Sequence, residues 1–241
     1  VIAAARTILA LAILCLPVAA RAATATFEAG SDERRRGLSW SGGKAAARAA
    51  LAIDPSPAFR LDAAATTLRG AARHGGADAG FDLGASWRAQ TGAIRLDAGI
   101  VGHLFAGGSG PLDYAEVQGG IGTSLGPASL DLSASYAPRQ KAIGGDNLYL
   151  AAQARVAILG TPFSATGGIG HSSGDVSKAA RADRLRPGGA YFDWQLGIEH
   201  ARGPITVSLL YVGNDIRASD RDTPATSAAG DTVLVRLGLS L

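Results

Sequence analysis

Alternation of apolar and polar positions runs along this chain from about residue 24 to its end. It is clearest between Tyr191 and Val212. Phe192, Trp194, Leu196 and Ile198 fall on one parity, and Asp193, Gln195, Gly197 and Glu199 on the other. That spacing predicts a strand with one apolar face. After Arg202, Gly203 and Pro204 the pattern resumes with Ile205, Val207, Leu209 and Tyr211, so the two segments form a β-hairpin.

The same rule gives twelve strands, near 24–38, 44–54, 58–68, 77–89, 93–105, 114–125, 128–137, 146–158, 162–172, 190–201, 204–212 and 231–241. Most are about the 9–11 residues that a tilted strand needs to cross a bilayer. The connections at Pro55–Pro57, Gln90–Gly92, Gly126–Pro127, Gly160–Thr161 and Arg202–Gly203 are tight. Those at 106–113, 138–145, 174–189 and 213–230 are longer and polar, and the two kinds alternate. A soluble sandwich has no reason to keep its short turns at one end. The expected fold is therefore all-β, a single antiparallel transmembrane β-barrel of 12 strands, with short periplasmic turns, longer extracellular loops and both termini in the periplasm.

Parity then assigns faces. Leu61, Phe81, Leu83, Trp87, Ile100, Val117, Ile121, Leu132, Ile169, Leu196, Leu209 and Leu237 share the face that would meet lipid. The opposite face carries charges that a dry core would not tolerate but a wet lumen would. Its lumen-lining candidates are Arg48, Arg60, Asp62, Asp82, Arg88, Arg95, Asp97, His103, Glu116, Asp131, Arg155, Asp193, Glu199 and Arg236. Trp87, Phe105, Tyr136, Tyr149, Tyr191 and Tyr211 lie near strand ends, where interfacial aromatics sit.

Composition agrees with a thin apolar shell. Of the 241 residues 47% are hydrophobic, but much of that is Ala, and 33 are Gly. Residues 1–22 read as a signal peptide: Arg6 supplies the charge, Ile8 to Ala20 the apolar stretch, and Ala20-Arg21-Ala22 a cleavage site. Residues 23–241 form the barrel. Cys15, the only cysteine, lies in the leader, and Leu14 before it disfavours lipidation. Without Arg6 and Arg21, 21 basic residues face 20 acidic ones, which argues against a nucleic-acid partner. Lys178, Arg181, Arg184 and Arg186 in one loop read as a solvated face, or as contacts for anionic lipopolysaccharide.

Chemistry beyond a pore has little support. His171 and Ser173 would need an orienting partner, typically Asn, to form a lipid hydrolase. The mature chain offers only Asn147 and Asn214, in unsuitable contexts. His74, His103 and His200 have no ligand spacing, so no metal is expected. The Gly-rich stretches lack a following helix and Lys, so no phosphate loop and no cofactor is expected either.

The run Ser31-Asp32-Glu33-Arg34-Arg35-Arg36-Gly37-Leu38-Ser39 resembles the opening motif of the TorF family of porin-like proteins, outer-membrane barrels of the Gcw_chp type. The likeness continues through Gly43 and Lys44, Tyr136-Ala137-Pro138, Tyr191 to Gly197 and the last strands. It implies an outer-membrane barrel acting as a porin. By parity Asp32 and Arg36 join the lumen candidates as a pair near the outer mouth, while Glu33 and Arg35, in place of the family's aromatics, would face outward at head-group level. The expected function is passive diffusion of small solutes or ions through an outer-membrane channel, with no enzymatic activity. The alternatives are a closed structural or adhesive barrel acting through its loops, an outer-membrane lipid hydrolase using Ser173, and a soluble periplasmic β protein. Expected partners are outer-membrane lipid and lipopolysaccharide, small solutes, and the barrel-assembly machinery through the C-terminal strand.

Overall fold

The computed structural model describes residues 22–222 and 226–241. The expected leader therefore lies outside the described residues, apart from Ala22. Twelve strands close into one antiparallel barrel. In chain order they are β1 (Ala22–Gly30), β4 (Ala46–Ser56), β5 (Phe59–Ala71), β6 (Ala77–Thr91), β7 (Ile94–Ala106), β8 (Tyr114–Leu125), β9 (Ala128–Gln140), β10 (Gly145–Ala157), β11 (Phe163–Ser173), β12 (Tyr191–Arg202), β13 (Ile205–Asn214) and β14 (Thr232–Ser240). Each pairs with its chain neighbour, and β1 pairs with both β4 and β14, so no edge is left open. Between β1 and β4 lie two short strands, β2 (Arg34–Arg35) and β3 (Leu38–Ser39), which pair only with each other.

The apolar row faces out. Ile100 is 62% exposed, Ile169 65% and Leu196 63%, and Leu61, Leu83, Val117, Leu132 and Leu237 are exposed around the same wall. So much contiguous apolar surface is far beyond what a soluble monomer shows, and it suits a hydrocarbon surround. The inner wall is polar and Gly-rich for a steric reason. Added methyl groups would meet Asp97 Oδ1 at 2.5 Å from Gly120, Arg95 Nη2 at 2.7 Å from Gly122, and Asp193 Oδ2 at 2.6 Å from Gly170. The inward glycines thus let charged side chains from adjacent strands lie flat against the wall.

The start of β1, the end of β14 and five short connections share one end, here the turn end. Gly92, Gly126 and Gly203 open two-residue turns with φ of 59°, 58° and 58°. Positive φ at the first position is what a type II′ hairpin needs, and it leaves the second position free for Pro127 and Pro204.

The opposite, loop end is packed. One buried cluster joins Trp40, Leu68, Ala77 and Leu112, and another joins Tyr114, Ala137, Ala142, Ile143 and Leu185. Here two expectations are corrected. Arg184 and Arg186 are not solvated: Arg184 donates to the carbonyls of Leu112 (3.0 Å) and Ala142 (2.9 Å), and Arg186 to those of Asp146 (2.7 Å) and Asp175 (3.0 Å). Phe105, Tyr149 and Tyr191 turn inward rather than toward an interface, because their parity is that of the inner wall. Phe105 packs in both loop-end clusters, and Tyr191 is buried with its hydroxyl on the Arg36 carbonyl. Trp87, Tyr136 and Tyr211 are exposed on the outer wall.

The first strand is also shorter than expected. It ends at Gly30, and the chain from Ser31 to Ala45 enters the lumen instead of extending the wall. Glu33 and Arg35 therefore do not face outward, since both belong to the inserted segment.

Candidate functional site

The inserted segment is a β-hairpin with a two-residue turn. Arg34 pairs with Ser39 and Arg35 with Leu38, leaving Arg36 and Gly37 at the tip with φ of 53° and 72°. Two positive φ values in succession make a type I′ turn, which glycine accepts freely and arginine only at a cost of about 1–2 kcal/mol. Gly37 has a second constraint, since an added Cβ would lie 2.7 Å from Asp193 Cβ. Asp32 braces the base of the hairpin. Its carboxylate accepts from Ser39 (2.6 Å), Ser41 (2.7 Å) and Arg34 Nε (2.9 Å).

The hairpin crosses the lumen and is held on several sides. Arg36 donates through both Nη atoms to Glu116 on β8, at 2.9 and 2.6 Å, and lies 4.6 Å from the ring centre of Tyr149 on β10. Arg35 bonds Asp82 on β6 (3.0 Å) and Glu33 (3.1 Å), and stacks on Trp40 at 4.0 Å. Arg34 donates to the carbonyls of Gly230 (2.6 Å) and Ala228 (3.1 Å) beyond β13. Tyr191 on β12 donates to the Arg36 carbonyl (2.8 Å), and Asn214 on β13 to that of Gly37 (3.1 Å). His103 sits between the two wall carboxylates, with Nδ1 2.8 Å from Asp82 and Nε2 3.6 Å from Glu116. Arg48 Nη1 adds a 3.0 Å contact to Asp82.

A cavity of about 720 Å³ lies against this latch, lined by Arg36, Arg48, Arg60, Asp62, Asp82, Arg88, Asp97, His103, Glu116 and Arg236. A second, of about 260 Å³, has Asp193 and Arg236 with Gln153, Gln195 and the apolar Leu210, Val212 and Leu234. Toward the turn end Arg88, Arg95 and Asp97 border a third space of about 690 Å³. Arg95 pairs there with Asp131 at 2.8 Å, and Arg155 pairs with Glu199. Charges of both signs are mostly cross-paired along the wall, which leaves a wet, nearly neutral lumen.

Asp32 and Arg36 do not form the expected pair. Parity puts them on one face of a wall strand, two pleat repeats apart, whereas the hairpin turns Asp32 back on Arg34 and sends Arg36 across to Glu116. Parity gives no sign of Arg35, Trp40, Tyr149, Tyr191 and Asn214 as hairpin contacts, nor of Thr66, whose hydroxyl accepts from Arg35 Nη2 at 3.2 Å. The readable signal was Arg36-Gly37 followed by Ser41-Gly42-Gly43, since closely spaced Gly marks turns rather than a continuous strand.

Arg73 and Arg184, in the loop cap above the hairpin, form no ion pair with a carboxylate among the described residues. Arg73 donates to the carbonyls of Asp183 (3.1 Å) and Arg184 (2.7 Å), and burial draws its guanidinium down to about 10. Burial also holds the His74 imidazole well below its ordinary value, with Arg184 and Arg73 acting in the same direction. His171 and Ser173 do not assemble a hydrolytic site with either asparagine. Ser172, between them, donates to Asn147 on the inner wall (3.0 Å), Asn214 is engaged with the hairpin, and His171 packs on the ring of Phe192 at 4.4 Å.

A family model described as "Bacterial protein of unknown function (Gcw_chp)" matches residues 18–239. No curated protein sequence matches the chain. Among solved structures, the NanC porin aligns with a TM-score of 0.59 at 11% identity, covering 90% of this chain and 98% of that one. The KdgM porin gives 0.57 at 7% identity, with 90% and 97% covered. The COG4313 outer membrane channel from Pseudomonas putida F1 gives 0.51 at 11% identity, with 94% and 96% covered. These likenesses are of fold: a closed antiparallel barrel of the outer-membrane porin type.

Proposed function

This chain belongs to the Gcw_chp family of bacterial proteins, and we propose that it acts as a porin-like outer-membrane channel for small solutes. The observation that carries the reading is the closed barrel itself, apolar outside and enclosing a charged cavity of about 720 Å³ between the turn end and the hairpin. The likeness of Ser31–Ser39 to the TorF family and the porin fold of the structural neighbours support it. Charges of both signs along the wall favour weak ion selectivity, and the hairpin makes the passage narrow.

The test is liposome swelling with neutral solutes of graded size. It compares the whole protein with a form in which residues 31–44 are replaced by a short Gly-Ser linker. The shortened form should admit small solutes at a rate well above protein-free liposomes, with the whole protein slower. If neither form raises the rate, the channel reading is wrong.

A further inference from the structure

Arg36 occupies a receptor built from several strands. Glu116 receives two parallel N–H bonds from it, at 2.9 and 2.6 Å, and its carboxylate has no solvent exposure. The Tyr149 ring lies 4.6 Å from the guanidinium carbon, and the Tyr191 hydroxyl holds the backbone of the same residue at 2.8 Å. Bidentate acceptance plus an aromatic face are the two features that recognise a planar guanidinium over a compact ammonium. A buried carboxylate of this kind also needs a cation at all times, because an unpaired charge there is costly. Yet the residue that supplies the cation does so from a left-handed backbone, φ 53°, that disfavours a side chain. A free ligand would make the same bonds without that strain.

We propose that the Glu116–Tyr149 pocket is a guanidinium-binding site which the chain fills in cis with Arg36, and that solutes carrying a free guanidinium group can take the place of Arg36. The other charged groups facing it are Arg35, Asp82, Asp193, which accepts from the Tyr149 hydroxyl at 3.2 Å, and His103, whose Nε2 lies 3.6 Å from Glu116 without a hydrogen-bond partner. Occupancy of this site then sets whether the hairpin tip stays across the lumen. Only this last consequence rests on the channel reading; the binding site stands without it.

The experiment removes the internal occupant. Glycine accepts the backbone at position 36 without strain, so Arg36→Gly vacates the pocket while keeping the turn. Methylguanidinium is titrated into detergent-solubilised Arg36→Gly by calorimetry, with methylammonium as the competitor of equal charge. Arg36→Gly should bind methylguanidinium at least ten-fold more tightly than methylammonium, the wild type should bind it more weakly because Arg36 must first be displaced, and Arg36→Gly/Glu116→Gln should not bind it. In planar bilayers Arg36→Gly should conduct more than the wild type, and methylguanidinium, which fills the pocket without tethering the hairpin, should raise the wild type toward the Arg36→Gly level.

Absence of binding, or equal binding of methylammonium, overturns the site. Binding with unchanged conductance overturns the link to the hairpin, provided that the form lacking residues 31–44 conducts. If that form is silent, the channel reading fails while calorimetry still decides the site. Should Arg36→Gly not fold, Arg36→Lys keeps the charge without the bidentate geometry. It should then show the same preference for methylguanidinium, more weakly, and no preference would count against the site.

Discussion

Replacing Glu116 by Gln leaves the Arg36 guanidinium in the lumen with a neutral amide, which can accept one of its two bonds and opposes the other with N–H groups. Glu116 has no exposed side-chain surface and Arg36 little, so water cannot readily take over the lost bond. Removing one partner of a buried pair costs about 3–5 kcal/mol. The left-handed backbone at Arg36 strains the seated hairpin equally in both proteins, so it cancels from the difference. The shift in the equilibrium between seated and released hairpin is therefore about 3–5 kcal/mol, or roughly 150- to 4,000-fold. The wall should not feel it, because β8 keeps its full ladder to β7 and β9.

Hydrogen exchange read by mass spectrometry separates the two. Peptides covering residues 33–43, including the Trp40 amide that donates to the Glu33 carbonyl at 2.7 Å, should exchange faster by that factor. Peptides from β7, β8 and β9 should not change. Equal exchange of the hairpin in both proteins would refute the latch, and faster exchange throughout β7 and β8 would show that Glu116 holds the wall instead.

Gly37→Ala should also loosen the hairpin, by about 1–3 kcal/mol, since it adds a side chain at φ 72° and within 2.7 Å of Asp193 Cβ. Faster exchange at residues 33–43 reports it, and unchanged exchange argues against the crossing. Ile100→Arg places a charge on the outer wall near mid-strand and should cost about 2–4 kcal/mol in urea titrations from lipid vesicles; a neutral outcome would contradict lipid exposure of the 62% exposed Ile100. The buried His74 imidazole lies well below its ordinary value of 6.5, so an opened cap binds a proton that the closed cap excludes. Cap stability is therefore full above about pH 6.5 and falls as the pH drops below it. In a Trp87→Phe/Trp194→Phe background, quencher access to Trp40, whose ring centre is 4.5 Å from that of His74, should rise on acidification. Access that is constant from pH 7.5 to 5 refutes the assignment.

The wall was legible because its signal is redundant. Twelve segments each repeat a period of two, and each tight turn carries Gly or Pro where the geometry requires it. Strand ends for β6 to β14 fall within a few residues of those expected, and apolar residues such as Ile100, Ile169 and Leu196 stand exposed on the outer wall. The hairpin was not legible for the opposite reason. After Gly30 the residues Ser31 to Arg36 are all polar, so parity could only be counted on from Phe27, and it gave Glu33 and Arg35 the outer face although the backbone had already left the wall. Alternation reports that a segment is extended. It does not report what the segment pairs with, and the partners of Arg35 and Arg36 are Asp82 and Glu116, 47 and 80 residues away. Hydropathy alone would put Leu210, Val212 and Leu234 on the outer wall, but they share the parity of Ser208 and Arg236 and are buried inward.

A twelve-stranded barrel is wider than one whose own side chains fill it. Here the inner wall increases that width. Asp97 lies over Gly120, Arg95 and Asp131 over Gly122, and Asp193 and Tyr149 over Gly170, so long side chains hug the wall instead of meeting at the axis. The lumen then has to be closed by something other than the strands. The Ser31–Ser39 segment supplies it, with three consecutive arginines that reach β6, β8 and the chain beyond β13 from one turn. Because these bonds are to side chains and carbonyls rather than to the barrel ladder, the hairpin can leave without breaking a wall strand. Two separate devices shape the lumen: glycines let paired charges lie against the wall, and a tip strained at Arg36 and held by Glu116 crosses the space that they leave.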